Sequence, residues 1–231
     1  MNAIIQCRGI EKTYRQGAVD VPALRGVDLD IHPGDFATLA GPSGSGKTTL
    51  LSLIGGLDRP TAGEISVDGE PITAMEKNRL ADLRLHKIGF VFQTYSLIPV
   101  LSALENVEFI LRLLDVPLRP REKRAKEMLR EVGLEGLETR RPARLSGGQQ
   151  QRVAVARALA PKPAIVLADE PTANLDSKNA EELIALMARL NAASGITFLI
   201  ATHDPRVMAH SRRRIEMIDG RITADERQAA A

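Results

Sequence analysis

Three short apolar runs, Phe36 to Ala40, Ile165 to Ala168 and Thr197 to Ala201, each stop where glycine or polar residues begin, and a helical pattern follows each. Such runs predict strands of a parallel sheet covered on both faces. Ile4 to Ile10, Val27 to Ile31 and Glu64 to Val67 alternate apolar with polar positions. That period of two predicts half-exposed antiparallel strands, the last bracketed by Gly63 and the turn Asp68-Gly69. From Ser102 to Ala160 the pattern turns helical and is rich in Leu, Glu, Lys and Arg. Leu111, Leu114 and Leu118 are spaced as one helix face, and Pro117 and Pro120 are expected to end that helix. A second helix is expected over Arg121 to Val132, with Gly133 just past its end. The whole reads as an α/β core, partly antiparallel, with a helical lobe inserted. No internal repeat is visible, and the only low-complexity tract is the tail Gln228 to Ala231. No regulatory domain is expected beyond the short polar segment that begins at Arg221.

Composition narrows the class. With 231 residues, 44% hydrophobic and 26% charged, the chain can bury a core without disulfide or metal. Lys and Arg number 31 against 29 Asp and Glu, a formal charge of +2 that gives no reason to expect nucleic acid as a partner. The clusters Arg140-Arg141, Arg144 and Arg212-Arg213-Arg214 are expected to be solvated faces balanced by nearby acids. Cys7 cannot pair internally and reads as a small buried hydrophobe in a strand. His32, His86 and His210 read as surface or structural residues. No apolar run approaches the roughly 20 residues of a membrane span, and Met1 to Gln6 lacks the pattern of a signal peptide. The expectation is a cytoplasmic chain that reaches a membrane only through another protein.

The strongest local signal is Gly41-Pro42-Ser43-Gly44-Ser45-Gly46-Lys47-Thr48, followed by Thr49. It fits G-x-x-x-x-G-K-[ST], lies between an apolar strand and the expected helix Thr48 to Ile54, and so meets the structural condition of a phosphate-binding loop. Glycines let backbone N–H groups converge on phosphates, helped by the helix N-terminus. Lys47 brings a point charge to β- and γ-phosphates, and the Thr48 hydroxyl can ligate Mg²⁺. The acidic partner such a loop needs stands at the end of another buried strand, in Ile165-Val166-Leu167-Ala168-Asp169-Glu170. Asp169 can hold the metal through water, and Glu170 can orient or deprotonate an attacking water. The alternative is that either acid caps the turn at Pro171.

A second anion site appears at Ser146-Gly147-Gly148-Gln149, ahead of the expected helix Gln150 to Ala160. One loop already accommodates one triphosphate, so the simplest phosphate for this second site is nucleotide bound to another copy of the chain. A plain capped helix is the alternative.

Leu145 to Gln149 resembles the signature motif of ATP-binding-cassette (ABC) ATPases, and the resemblance covers nearly the whole chain in the family's order. It implies that Tyr14 stacks on adenine, and that Gln93 senses Mg²⁺ and the attacking water while joining core to helical lobe. It implies that Asn174-Leu175-Asp176 crosses to the other subunit and that His203 contacts γ-phosphate. As alternatives, Tyr14 is a surface aromatic, Gln93 a strand-end residue and His203 a cap before Asp204-Pro205. The implied fold is a P-loop NTPase core with a parallel sheet, an antiparallel β subdomain and an inserted α-helical subdomain. Within a single domain over 1–231, the core takes 1–93 and 161–231, the antiparallel part mainly 1–35 and 60–70, and the helical subdomain 94–160. The implied activity is ATP hydrolysis with Mg²⁺ by a homodimer closed around two ATP, driving integral membrane permease subunits.

Gly55 to Thr61, Phe90 to Pro99 and Leu167 to Thr172 resemble most the ATPases of lipoprotein-releasing and macrolide-export type systems, where closure is transmitted mechanically across the membrane. Pro42, Thr48 and Ala173 depart from that branch's usual Ala, Ser and Gly, and Val107 to Leu114 lacks its usual proline. The ATPase of a small-molecule importer is the alternative within transport. Outside transport, the alternatives are a soluble ABC ATPase of DNA repair or translation and a non-catalytic nucleotide-binding module.

Overall fold

A computed structural model describes residues 2–17 and 19–227. The low-complexity tail lies outside the described residues. Two sheets organise the chain. The first is antiparallel, in the order β2-β1-β4-β5, built from β1 (Ile5–Gln16), β2 (Val19–Ile31), β4 (Ala62–Val67) and the short β5 (Glu70–Pro71). The second has six strands in the order β10-β9-β3-β8-β7-β6. These are β3 (Phe36–Ala40), β6 (Ile88–Val91), β7 (Ile165–Asp169), β8 (Thr197–Thr202), β9 (Arg213–Ile218) and β10 (Arg221–Arg227). All its pairings are parallel except β10 with β9. The helices are α1 (Lys47–Ile54), α2 (Lys77–Lys87), α3 (Ala103–Leu113), α4 (Leu118–Glu131), α5 (Gly147–Leu159), α6 (Ser177–Ser194) and α7 (Pro205–Ala209).

The parallel strands explain why their apolar runs are continuous. Successive side chains point to opposite faces of a sheet, and both faces here are covered. Ala37, Leu39, Ile165, Leu167, Leu199 and Ala201 enter a core shared with the antiparallel sheet, α1 and α2. Phe36, Val166, Ala168, Phe198 and Ile200 enter a second core with α3 to α6. Phe36 and Phe198 meet edge to face at 5.6 Å there. Each fully buried aliphatic or aromatic side chain contributes roughly 1.5–3 kcal/mol, and the buried threonines of these strands, Thr38, Thr197 and Thr202, each find a hydrogen-bond partner.

Several expectations need correction. β1 and β2 run well past Ile10 and before Val27, to Gln16 and from Val19. Alternation breaks at the register shifts between Cys7 and Ile10 and between Lys12 and Thr13, so a period of two cannot be followed through them. Leu118 does not continue the face of Leu111 and Leu114. It opens α4 and is 62% exposed, whereas Leu111 is buried. Pro117 stands at the α4 N-cap position and Pro120 in its first turn. A proline there has no intrahelical N–H bond to lose, so α4 starts three residues earlier than Arg121. Gly133 follows α4 with φ of +75°, a conformation that suits glycine, and its N–H bonds the Arg130 carbonyl.

Arg213 is also not a solvated residue. It is 6% exposed and bridges Asp35 at 2.9 Å and Asp225 at 2.6 Å, fastening the closing β9–β10 hairpin to the turn before β3. Its neighbour Arg214 does pair with an acid near the surface, Glu216.

Candidate nucleotide site

Parallel strands bring their carboxyl ends to one edge, where α/β sheets bind ligands. The register here aligns three such ends: Ala40 pairs with Thr202, and Asp169 with Ala201. The next residues are Gly41, His203 and Glu170, so β3, β8 and β7 deliver the phosphate loop, a histidine and two carboxylates side by side. Gly41, Pro42 and His203 line a common cavity of about 350 Å³.

The loop is tightly held. Gly41 has φ of +155°, and a Cβ on it would lie 2.1 Å from the Met217 carbonyl oxygen, so no side chain fits. Gly46 is left-handed at φ +101° and precedes α1, which starts at Lys47, one residue ahead of expectation. Lys47 is 6% exposed and its Nζ donates to the carbonyls of Gly41 (2.8 Å) and Pro42 (2.9 Å). The Ser45 hydroxyl is buried without a protein partner. The donors a phosphate would need are therefore gathered inside one loop.

Thr48 and Asp169 meet across the edge. Thr48 Oγ1 donates to Asp169 Oδ1 at 3.0 Å. Burial pushes the Asp169 carboxyl above its ordinary range, the Thr48 bond opposes this, and the Glu170 charge adds to it. Glu170 sits at φ +46°, a strained position for a side chain of its size. Its Oε1 lies 2.7 Å from His203 Nδ1, and its Oε2 accepts from Thr202 Oγ1 at 3.3 Å. The turn at Pro171 is closed by the Glu170 carbonyl, which accepts from Ala173 N at 3.2 Å, while both carboxylates bond elsewhere, and His203 does not cap the helix that follows it. Asp204 is the N-cap of α7, bonding Arg206 N at 2.9 Å, and the Arg206 guanidinium holds its carboxyl below the usual range.

Gln93 follows β6, which pairs with β7 up to Val91 and Ala168, so it reaches the same edge. It is exposed, and its carbonyl accepts from Asn174 Nδ2 at 2.9 Å. Tyr14 stands on the antiparallel sheet. Its hydroxyl donates to Asp58 at 3.2 Å and Lys12 Nζ lies 4.9 Å from its ring centroid, so the ring is held by two residues that sequence reasoning missed.

Ser146 to Gln149 belong to a different element, the start of α5. Ser146 caps α5 in a reciprocal box: its Oγ accepts from Gln149 N at 3.3 Å, and Gln149 Oε1 accepts from Ser146 N at 3.0 Å. Gly147 and Gly148 lie inside the helix, not ahead of it. A Cβ on Gly147 would come 2.7 Å from the Tyr95 hydroxyl, and one on Gly148 equally close to Asn179 Oδ1. Their small size answers crowding as well as N–H access. Asp176 of the Asn174 to Asp176 loop caps α6 through Asn179 N.

A phosphate loop, a buried lysine and strand-end carboxylates at the tips of one parallel sheet define a P-loop nucleoside-triphosphatase. A family description for ABC transporters matches residues 24–173. The chain is 50% identical over 229 residues to the lipoprotein-releasing system ATP-binding protein LolD of Anaeromyxobacter dehalogenans, covering 96% of this chain and 93% of that one. It is 47% identical over 221 residues to the macrolide export ATP-binding/permease protein MacB of Syntrophobacter fumaroxidans, covering 95% of this chain and 31% of that longer one. The structure superposes with a TM-score of 0.90 and 43% identity on the ATP-binding cassette MJ0796, solved as a post-hydrolysis dimer bound to ADP and Pi, covering 98% of this chain and all of that one. The chain belongs to the ABC transporter family, as an ATP-binding subunit of it. Among the described residues no helix is long and apolar enough to cross a membrane.

Proposed function

We propose that the chain hydrolyses ATP as one half of a homodimer docked on integral membrane permease subunits, at the inner face of the cell membrane, in a transporter of the export or mechanical type. The observation that carries this reading is the grouping of Lys47, Thr48, Asp169, Glu170 and His203 at three aligned strand ends. The LolD-like and MacB-like relatives support the export branch, and the dimeric MJ0796 cassette supports a dimer.

Each ATP lies between Gly41 to Thr49 of one copy and Ser146 to Gln149 of the other, with adenine on Tyr14. The Lys47 donors, now on Gly41 and Pro42 carbonyls, turn to the β- and γ-phosphates. Mg²⁺ suits the donors present: Thr48 and Asp169 offer hard oxygens 3.0 Å apart, and this metal takes few protein carboxylates beside substrate phosphates. Thr48 and Asp169, with Gln93, would hold it, and it would supply neutralisation of charge on the phosphate oxygens. Glu170 takes the proton of the attacking water, which forms a new bond to the γ-phosphorus as the bond to ADP breaks. His203 holds Glu170 and meets the γ-phosphate. The core, 1–93 and 161–231 with its antiparallel part mainly at 1–35 and 60–70, binds nucleotide, and the helical subdomain 94–160 moves the permease.

Glu170→Gln should lower ATP turnover by more than about 100-fold, the lower range of a positioned general base, and leave a dimer that ATP holds together on size exclusion. Turnover near wild type would remove Glu170 from the base role. The same variant with ATP should bring down, from solubilised membranes, a protein of few spans with a large extracytoplasmic domain. A many-spanning permease would move the assignment to an importer.

A further inference from the structure

We propose that Gln151 is a positioning residue that couples the α5 anion edge of one site to the hydrolytic loops of the other site in the same chain. It rests on the function proposed above. Gln151 lies on α5, five residues beyond the Ser146 cap, and is fully buried. Its Nε2 donates to two carbonyls on two different loops: Phe92 O at 3.2 Å and Pro171 O at 2.9 Å. Phe92 immediately precedes Gln93, and Pro171 immediately follows Glu170. One amide therefore fastens the helix that begins at Ser146 to the two segments that present Gln93 and Glu170.

The amide can face only one way. Turned over, its oxygen would oppose both carbonyl oxygens, so the NH₂ group points at them. The Oε1 left on the other side is buried and meets no protein partner. An orphaned buried acceptor is a cost that an apolar residue of the same length avoids. The contact is thus not explained by packing alone: an amide that donates to two loop carbonyls fixes their separation, which an apolar side chain of the same length cannot do. Further ties reinforce the same body. Arg157 of α5 donates to the carbonyls of Ser96 (2.6 Å) and Tyr95 (3.2 Å), both held at positive φ. Asn174, three residues past Pro171, donates to Gln93 O at 2.9 Å. Gln151 is the strut that spans both loops from their buried side, so a displacement of α5 by nucleotide on the second copy moves Gln93 and Glu170 together.

The test compares ATP turnover, nucleotide affinity and melting temperature of the full chain with Gln151→Met. Methionine matches the length, removes the orphan and leaves Pro171 O unpaired, so the melting temperature should shift by less than about 4 °C. Affinity for ATP should stay within twofold, while kcat falls roughly 10- to 100-fold, the cost of misplacing reacting groups by an ångström or less. Wild-type kcat in the folded variant overturns the proposal, as does a loss confined to affinity. If methionine unfolds the chain, Gln151→Asn carries the test. It keeps the amide but is one methylene too short to reach both carbonyls, and again kcat must fall with affinity kept. Wild-type kcat in that variant overturns the proposal. Hydrolysis by the unmutated chain is measured alongside: its absence sinks the ATPase reading itself, its presence with unaffected variants sinks only the strut.

Discussion

At the scale of single residues, environment decides chemistry. Cys7 is fully buried in β1, and burial pushes its thiol from the ordinary 9.0 up to about 12. It should resist alkylation at pH 8 and react on unfolding, as mass spectrometry of iodoacetamide-treated protein would show. The raised value favours the neutral thiol in the fold. Its contribution to stability is therefore whole below 9.0 and lost as pH climbs from there towards about 12. Labelling of the folded protein at pH 8 would mean that β1 opens locally. The residues on which the proposed site rests were legible in different ways: Lys47, Thr48, Asp169 and Glu170 from motif spacing and strand context, and His203 from the family resemblance. Lys12, Asp58, Thr202 and Gln151 were not, because each acts on a residue far away in sequence, and no local pattern marks such a partner.

At the scale of elements, two helices carry the same device. Ser102 caps α3 with Glu105, and Ser146 caps α5 with Gln149, both as reciprocal boxes. Ser102→Ala and Ser146→Ala should each cost about 1 kcal/mol of stability, seen as similar falls in denaturation midpoint. Only Ser146→Ala should lower ATP turnover as well, since only its helix end is assigned to nucleotide. Equal turnover in the two variants would reduce α5 to an ordinary capped helix. Three of the five parallel strands, β3, β7 and β8, were readable to within a residue because burial on both faces makes the apolar run continuous; β6 was not among the expected strands, nor was β9, whose burial alternates along arginines. The starts of α4 and α5 were not readable. Proline and glycine usually mark breaks, yet here Pro120 fits a first helical turn and Gly147 and Gly148 fit under Tyr95 and Asn179.

At the scale of the whole molecule, the closing hairpin depends on a buried ionic link. Arg213→Leu would leave Asp35, whose side chain is 9% exposed, short of its closest cation. The expected loss is about 2–3 kcal/mol, measured by chemical denaturation. That lies below the usual cost of breaking a buried pair, because the Asp225 side chain is 37% exposed and Arg227 still reaches Asp35 at 3.4 Å. An unchanged midpoint would mean that water serves Asp35 as well as arginine does. The sequence alone determined the phosphate loop, the strand that leads into it, the acids at the tip of another strand and the family these belong to. All of those are written in contiguous residues, where steric demand and spacing act locally. Only the tertiary structure decided that Gly41, His203 and Glu170 share one edge, that Arg213 is buried and that Gln151 ties two loops together. Strand order, register and side-chain reach across the core bring together residues dozens of positions apart, and local periodicity holds no record of that.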